Sequence, residues 1–366
     1  MIKILYLLNH AGNGGTEQYV LNLVKAFHHQ KAECFFAYNE KGLLVEQLEK
    51  LGIKTYRLNM RHPFDLEAVK KLGTLCKQLN IDIIHTQFLR ENYIAILSKL
   101  FYPRVKVIYT NHFILHNNAI QKLTNRLLIP FEEAVIAVCN KGKEVMISNG
   151  VPKDKIKVIF NGVKYEEDTP LLSSTVRNEF GIDEDTFVLL SVSRFSPEKG
   201  LDFLVRSIAQ FKKFSQEKFK CLMVGDGPLF QEIKRLVNEL GLERDIIFTG
   251  FRTDIDNIIL GSNLFINSSS NEALSFAILE VLSKGIPVIA TDVGGNRDII
   301  NEKNDCGILV NYGDEKGMAD AISAMIKDKE HYQRYQKNAR SVVRDKFNLE
   351  TMLEETYNLY VNCKQK

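Results

Sequence analysis

Short apolar runs alternate with amphipathic segments along the whole chain. Many of the runs are continuously apolar, which is typical of a parallel sheet covered by helices on both faces. The segments between them carry apolar residues at helical spacing, for example at 16–27 and 65–79. The pattern predicts strands at residues 2–8, 33–38, 53–58, 82–86, 105–110, 134–138, 157–160, 187–193, 221–225, 246–250, 264–268, 287–291 and 307–310.

A polar interval at residues 163–186 interrupts this alternation. It contains several charges, a proline and no strand pattern, so it is the best candidate for a domain boundary. The alternation of strands and helices resumes after it. We therefore expect an α/β fold with two Rossmann-like, doubly wound parallel-sheet domains facing a cleft. Ligands in such sheets bind at the carboxyl ends of the strands.

Composition excludes several classes of protein. The net charge of +3 is too small to indicate nucleic-acid binding, and no Cys-x-x-Cys pair indicates a zinc or redox site. The six cysteines lie mostly in apolar stretches, which predicts buried, reduced thiols and a cytoplasmic protein. The first residues, MIKILYLLNH, are interpreted as a strand rather than a signal peptide, and no apolar stretch is long enough to span a bilayer.

The first predicted strand is followed by a glycine-rich loop. Gly12, Gly14 and Gly15 would let a ligand approach the backbone N–H groups at a helix N-terminus. The dinucleotide fingerprint would require glycine at position 17, where Glu17 stands, so this is not a good NAD site. An ordinary strand-to-helix turn is the alternative.

Two cations follow the strand at 187–193. Arg194 and Lys199 lie on a loop that enters a helix near Gly200, an arrangement suited to a diphosphate. A solvated loop with two unrelated charges is the alternative.

The segment NEALSFAILE carries two glutamates, Glu272 and Glu280. Eight residues of helix span about 12 Å, so the two carboxylates would serve different parts of an extended ligand. Glu280 lies in an apolar run and needs hydrogen-bond donors, for which ribose hydroxyls are one candidate and a salt bridge the alternative. His85 ends one predicted strand and His112 follows another. A histidine taken singly there is more often structural, whereas two at the same sheet edge favour a role in a cleft.

Two Asp-x-Asp sequences, at 183–185 and 254–256, could suggest a metal on a nucleotide sugar. The first lies in the boundary interval and the second resembles a helix N-terminus, so both are interpreted as structural. We predict no metal site.

The order of motifs resembles the family-4 retaining glycosyltransferases. The segments that carry the resemblance are GNGGTEQYV, TNH, FNGV, SVSRFSPEKG, VGDGP, FTGF and NEALSFAILEVLSKGIPVIATDVGG. The resemblance implies the GT-B fold. Its domains would be an N-terminal acceptor-binding domain (1–165), a C-terminal nucleotide-sugar-binding domain (166–347) and a C-terminal helix (348–366) that packs back on the N-terminal domain.

The resemblance also implies roles for particular residues. Glu280 would accept the ribose hydroxyls, Glu272 and His112 would lie at the transferred sugar, and two cations would hold the diphosphate. The residues assigned to catalysis are His112, Arg194, Lys199 and Glu272. Those assigned to donor binding are Gly14, Gly15, Arg194, Lys199, Phe251, Arg252, Glu272, Ser275, Phe276 and Glu280.

The chain departs from the family pattern at three places. Ala273, Leu274 and Ser275 replace the usual glycines after the first glutamate. The frequent H-x-H is His85-Thr86-Gln87, and Cys139 replaces a common serine.

We therefore expect a retaining glycosyltransferase that needs no metal or other cofactor. Its donor would be a nucleotide-diphosphate sugar, UDP-linked by preference and GDP-linked second, and its acceptor a glycan or glycolipid of bacterial surface polysaccharide synthesis. The alternatives are a nucleotide-sugar epimerase of similar fold and a non-catalytic nucleotide-sugar-binding partner subunit.

One segment of the N-terminal domain is a candidate for membrane contact. Residues 118–131 carry Lys122 and Arg126 among apolar side chains. We interpret this segment as a core helix with a solvated face, and the alternative is peripheral contact of the N-terminal domain with the inner face of the membrane.

Overall fold

The computed structural model describes residues 1–12, 14–165 and 174–365. Every predicted strand is present, with ends that differ by no more than two residues. The strands are β1 (Ile2–His10), β2 (Ala32–Glu40), β3 (Lys54–Arg57), β4 (Ile83–Thr86), β5 (Lys106–Asn111), β6 (Ala134–Ala137), β7 (Ile156–Val158), β8 (Phe187–Val192), β9 (Phe219–Val224), β10 (Ile246–Gly250), β11 (Leu264–Asn267), β12 (Val288–Thr291) and β13 (Gly307–Val310).

Helices connect the strands and end the chain. They are α1 (Gly15–Phe27), α2 (Leu43–Lys50), α3 (Leu66–Leu79), α4 (Leu89–Ser98), α5 (Ala119–Leu128), α6 (Asn140–Ser148), α7 (Val176–Glu179), α8 (Leu201–Phe214), α9 (Phe230–Glu239), α10 (Ile255–Leu260), α11 (Phe276–Ser283), α12 (Asn296–Ile299), α13 (Glu315–Lys327), α14 (Lys329–Lys346) and α15 (Leu349–Gln365). No helix in the described part of the chain is both long and apolar enough to cross a membrane.

Each of the two sheets is parallel and doubly wound. The first has the strand order β3-β2-β1-β4-β5-β6-β7 and the second β10-β9-β8-β11-β12-β13. The connections reverse direction between β1 and β4 in the first sheet and between β8 and β11 in the second. These are the topological switch points, where open α/β sheets bind ligands. The predicted pair of Rossmann-like parallel-sheet domains is confirmed.

The chain divides into two compact units. One is Met1–Asn161 with Glu350–Lys366, and the other is Gly162–Leu349. The predicted boundary at 165/166 adjoins residues 166–173, which lie outside the described residues.

The C-terminal helix α15 belongs to the first unit. The Tyr360 hydroxyl lies 2.6 Å from Nδ1 of His85, and Lys364 forms a 2.9 Å ion pair with Asp82. The Tyr357 ring packs against Phe27, with 5.6 Å between ring centroids. These contacts attach the end of the chain to the strands that begin it.

The interpretation of residues 118–131 as a core helix with a solvated face is wrong. The buried residue of α5 is polar, Asn125. Three of its large apolar side chains, Ile120, Leu123 and Leu127, are exposed to solvent. The apolar face therefore points away from the core.

Candidate functional site

In the second unit, the two loops at the topological switch point hold the predicted cation and carboxylate together. Lys199 follows β8 and Glu272 follows β11. The Lys199 ammonium lies 2.7 Å from Oε2 of Glu272, and both side chains are mostly buried. An ammonium has three N–H donors, so this ion pair leaves two of them for a ligand. A cationic loop and an acidic loop therefore meet at this point of the sheet.

Backbone contacts set the position of Lys199. Ser268 Oγ donates to the Lys199 carbonyl over 2.9 Å, and the Ser270 N–H donates to the Glu198 carbonyl over 2.8 Å. Gly200 has a φ of +57°, and a Cβ there would lie 2.3 Å from the Ser268 carbonyl oxygen. Only glycine allows the two loops to approach this closely.

The loop with Arg194 is joined to the loop after β9. Phe195 is buried, its N–H donates to the Asp226 carbonyl over 2.9 Å, and its carbonyl accepts the Leu229 N–H over 3.0 Å. Gly225 has a φ of +130°, and a Cβ there would lie 2.0 Å from the Ser193 carbonyl oxygen. The backbone is thus fixed on both sides of Arg194.

The Arg194 side chain itself is exposed. Its guanidinium makes no hydrogen bond or ion pair within residues 1–12, 14–165 and 174–365. A fixed backbone with an uncommitted guanidinium is suited to binding an anion.

Helix α11 begins directly after the Glu272 loop. Ser275 caps it by accepting the Ile278 N–H, while the N–H groups of Phe276 and Ala277 lie in the first turn, where no intrahelical acceptor exists. The loop before the helix is attached to the neighbouring glycine loop by a 2.7 Å hydrogen bond from the Gly295 N–H to the Ala273 carbonyl. The helix therefore presents free donors and the positive end of its dipole beside Glu272.

Glu280 lies on α11 with its carboxylate uncommitted. Burial, reinforced by Asp256 and opposed by Lys284, raises the pKa of Glu280 to about 7. Its carboxylate forms no hydrogen bond or ion pair with any described residue, because Lys284 pairs with Asp256 instead, at 3.3 Å. The alternative of a salt-bridged Glu280 is therefore not what the structure shows.

Phe251 and Arg252 follow β10, and only the Phe251 side chain is available to a ligand. Phe251 is 65% exposed. The Arg252 guanidinium is already occupied, because it forms hydrogen bonds of 2.8 Å with each carboxylate oxygen of Asp254 and a further ion pair with Glu179. Any ligand contact of Arg252 is accordingly left to its backbone.

In the first unit, the glycine loop leads from β1 into α1. Gly14 is the N-cap residue of α1 and Gly15 is its first residue. The Glu17 carboxylate accepts the Gly12 N–H over 3.0 Å, and a Cβ on Gly14 would lie 2.9 Å from that carboxylate. Asn13 lies outside the described residues. The loop leads into a helix N-terminus, as the sequence predicts, and its Gly12 N–H is bound to Glu17.

His112 follows β5 and is held by a residue that the sequence analysis did not assign to the site. Its Nε2 lies 2.9 Å from Oε1 of Gln87. The Gln87 amide nitrogen donates to the His85 carbonyl, which orients the amide oxygen towards His112. Burial holds the pKa of His112 well below its usual range, so the ring is neutral at pH 7. Nε2 then carries the proton and Nδ1 is left as an acceptor.

His85 is structural. Its two ring nitrogens lie 2.6 Å from the hydroxyls of Tyr360 and Thr110, and the residue is fully buried. Burial lowers the pKa of His85 to about 3. A ring with both nitrogens engaged in the core has no group to offer a substrate.

A pocket of roughly 330 Å³ lies in the same unit, and its lining includes Asn111 and Phe113, the residues on either side of His112, but not His112 itself. Its walls combine apolar and amide side chains and contain no charged one. They are formed by Phe88, Leu89, Tyr109, Asn111, Phe113, Leu115, Asn117, Gln121, Asn125, Ile129, Met146, Asn149 and Val151. Such walls suit a neutral ligand with hydroxyl groups and apolar surface.

Replacing Gln87 with methionine should lower kcat about fivefold for the reaction that the motifs predict, with little change in KM for the donor. The substitution removes one neutral hydrogen bond that orients His112, typically worth about 1 kcal/mol, and keeps the volume of the side chain. Steady-state kinetics of Gln87→Met, His112→Ala and the double variant test this. A positioning role requires that the double variant lose no more activity than His112→Ala alone, whereas independent, multiplying losses would contradict it.

Aspartates of the two Asp-x-Asp sequences form ion pairs and hydrogen bonds with neighbouring side chains. Asp254 pairs with Arg252 and accepts from Asn257, and Asp185 pairs with Lys218 at 2.7 Å. Across the residues that the structure describes, no three His, Cys, Asp or Glu side chains are grouped in a way that could hold a metal ion.

The two parallel, doubly wound domains agree with the GT-B fold that the resemblance implies. Comparisons with known proteins identify the family. The family described as "Glycosyl transferases group 1" matches residues 173–342, and "Glycosyltransferase Family 4" matches residues 13–167. The chain belongs to the family-4, group 1 glycosyltransferases, as the motifs predict.

Individual relatives match nearly the whole chain. N-acetyl-alpha-D-glucosaminyl L-malate synthase of Bacillus anthracis is 26% identical over 317 residues, covering 85% of this chain and 82% of its own. UDP-Gal:alpha-D-GlcNAc-diphosphoundecaprenol alpha-1,3-galactosyltransferase of Escherichia coli is 26% identical over 342 residues, covering 88% and 87%. A glycosyltransferase of Rickettsia africae has a similar structure, with a TM-score of 0.87, 25% identity and coverage of 99% and 98%.

Proposed function

We propose that this glycosyltransferase is a retaining, metal-independent enzyme that transfers a sugar from a nucleotide-diphosphate sugar to a glycan or glycolipid. UDP is the favoured nucleotide and GDP the second, and bacterial surface polysaccharide synthesis is the proposed setting. The observation that carries the proposal is the Lys199–Glu272 ion pair at the switch point of the second sheet. The loop with Lys199 also carries the uncommitted Arg194 guanidinium, and Glu272 directly precedes the N-terminus of α11.

The chemistry follows from where charge develops. When the bond to the sugar breaks, negative charge accumulates on the departing diphosphate. Two cations and the first-turn N–H groups of α11 would stabilise this charge, which is the dominant electrostatic task of such a reaction. Glu272 holds the Lys199 ammonium through the 2.7 Å contact, and we propose from the family resemblance that it also contacts the transferred sugar. Retention of the anomeric configuration is inferred from the family resemblance.

Names of relatives support the choice of substrates. The Escherichia coli relative is named for a UDP-linked galactose donor and a diphosphoundecaprenol-linked acceptor. The uncharged pocket lined by Asn111 and Phe113 suits the sugar hydroxyls and the apolar surface of such an acceptor rather than its diphosphate. We therefore place the acceptor in the first unit and propose His112 as a residue that contacts sugar.

A thermal-shift screen with UDP, GDP, ADP and their sugars, with and without EDTA, tests the donor. We expect UDP compounds at saturating concentration to raise Tm by several degrees, with no effect of EDTA, because a ligand that binds the native state stabilises it by mass action. A larger rise in Tm with GDP than with UDP would identify a GDP-linked donor. A rise in Tm that EDTA abolishes would contradict metal independence.

Product analysis tests the reaction itself. With the selected donor and extracted lipid-linked acceptors, nucleotide diphosphate should be released together with a glycosylated lipid of unchanged anomeric configuration, read by NMR. An inverted product would contradict retention. An altered sugar nucleotide formed without acceptor would instead identify an epimerase, and selective binding without any turnover would identify a binding subunit.

A further inference from the structure

Helix α5 carries an exposed apolar stripe on the surface of the first unit. Ile120 is 77% exposed, Leu123 57% and Leu127 62%, and Phe131, just after the helix, is 61% exposed. Since successive residues of a helix are rotated by about 100°, the three helical side chains lie within an arc of about 60°. We define this set of four residues as the α5 stripe. A continuous apolar stripe that faces water calls for a partner.

Polar contacts prevent the helix from burying this stripe by rolling. Asn125 lies on the opposite face of α5 and is buried. Its amide oxygen accepts from the Tyr93 hydroxyl at 2.6 Å, and its amide nitrogen donates to the Asn149 carbonyl at 2.8 Å. Rolling the helix inward would break both hydrogen bonds in the interior, which is costly. The outward orientation of the α5 stripe is therefore built into the fold.

Charge beside the stripe indicates the chemistry of the partner. Lys122 and Arg126 flank it on one side, and neither forms an ion pair with any described residue. No Asp or Glu occurs between Asn92 and Phe131 in the sequence. An apolar stripe flanked by basic residues is the pattern of a helix that lies in the interface of an anionic bilayer.

We propose that the α5 stripe docks this protein on anionic phospholipid membrane, with its apolar side chains among the acyl chains and Lys122 and Arg126 at the headgroups. A second copy of the chain is a poorer partner, because two α5 surfaces would bring four basic side chains together with no acidic residue on either helix to neutralise them. The proposal does not depend on the sugar-transfer reaction, since docking and turnover are measured separately.

The absence of tryptophan from the chain permits a direct test. Leu123→Trp places one fluorophore in the α5 stripe, and Leu51→Trp places one at the exposed end of α2 as a matched control. The connection through α2 lies on the opposite face of the first sheet, because right-handed crossovers on the two sides of the switch point cover opposite faces. With vesicles containing phosphatidylglycerol, we expect a blue shift and quenching by brominated lipid for Trp at position 123 only.

Charge variants and solution state complete the experiment. Lys122→Gln with Arg126→Gln should weaken vesicle binding about 10- to 30-fold, as expected for two basic residues at an anionic surface. Unchanged emission of the Leu123→Trp protein on vesicles would overturn the proposal. A blue shift without vesicles that grows with protein concentration, together with a larger mass by light scattering, would overturn it in favour of self-association.

Discussion

Replacing Lys199 with alanine should lower kcat/KM for sugar transfer by about 10²- to 10³-fold, the usual effect of removing one group that stabilises charge in a transition state. The ammonium is mostly buried and its backbone is fixed by Ser268 and Gly200, so its position is set before a ligand binds. Glu272→Ala should cause a loss of similar size, because it removes the carboxylate 2.7 Å from that ammonium. Initial rates of nucleotide release with donor and acceptor measure both effects.

Lys212→Ala is the matched control for this prediction. Lys212 also lies in the second unit and forms a 2.7 Å ion pair, with Asp245, but it is on the surface away from the switch-point loops. We expect it to retain activity, and all three variants to unfold at temperatures within a few degrees of the parent. If Lys199→Ala and Glu272→Ala both transferred sugar at the parental rate, the assignment of the site to these loops would be wrong.

The sequence predicts the fold well because the strands are buried on both faces. Residues 4–8 of β1 are all buried, and continuous apolar runs of this kind have few alternatives to a covered parallel sheet. The same topology accounts for the site. Loops that follow β8 and β11 meet at a switch point, so a cation in the first loop and an acid in the second are brought together although 73 residues separate them.

Other features depend on tertiary contacts that leave no local pattern. Gln87 contacts His112 because β4 and β5 are neighbours, and nothing in the segment HTQ distinguishes it from a surface glutamine. His85 appears equivalent to His112 in the sequence, yet Tyr360 from the end of the chain occupies its ring. The orientation of α5 follows from Asn125, whose partners lie on other elements. Amphipathic spacing predicts a helix but not which of its faces is buried.

Nucleotide binding should strengthen as pH rises from about 5.5 to 7.5, by up to about tenfold per pH unit, and Glu280→Gln should abolish this dependence. In the unliganded protein, burial raises the pKa of Glu280 to about 7. Ribose hydroxyls that donate to the carboxylate would favour its charged form and lower that pKa in the complex. Binding would then release a proton below pH 7, so Kd falls with rising pH until Glu280 is ionised in the free protein. Calorimetric titration with a UDP-sugar at several pH values measures this, because its diphosphate diester, unlike the terminal phosphate of UDP, does not titrate in this range.

The raised pKa of Glu280 also predicts that the unliganded protein becomes less stable as pH rises, and this prediction serves as the control. Because the folded-state pKa of Glu280 lies above its unfolded value, its stabilising effect is complete below the unfolded pKa and is lost as pH rises through about 7. Without nucleotide, Glu280→Gln should therefore raise Tm at pH 8 relative to the parent and change it little at pH 5. The same substitution should weaken UDP binding at pH 8 by about tenfold or more, because the charge-assisted hydrogen bonds to the ribose are lost. If the variant gained stability at pH 8 but bound UDP as tightly as the parent, Glu280 would not be the residue that contacts the ribose.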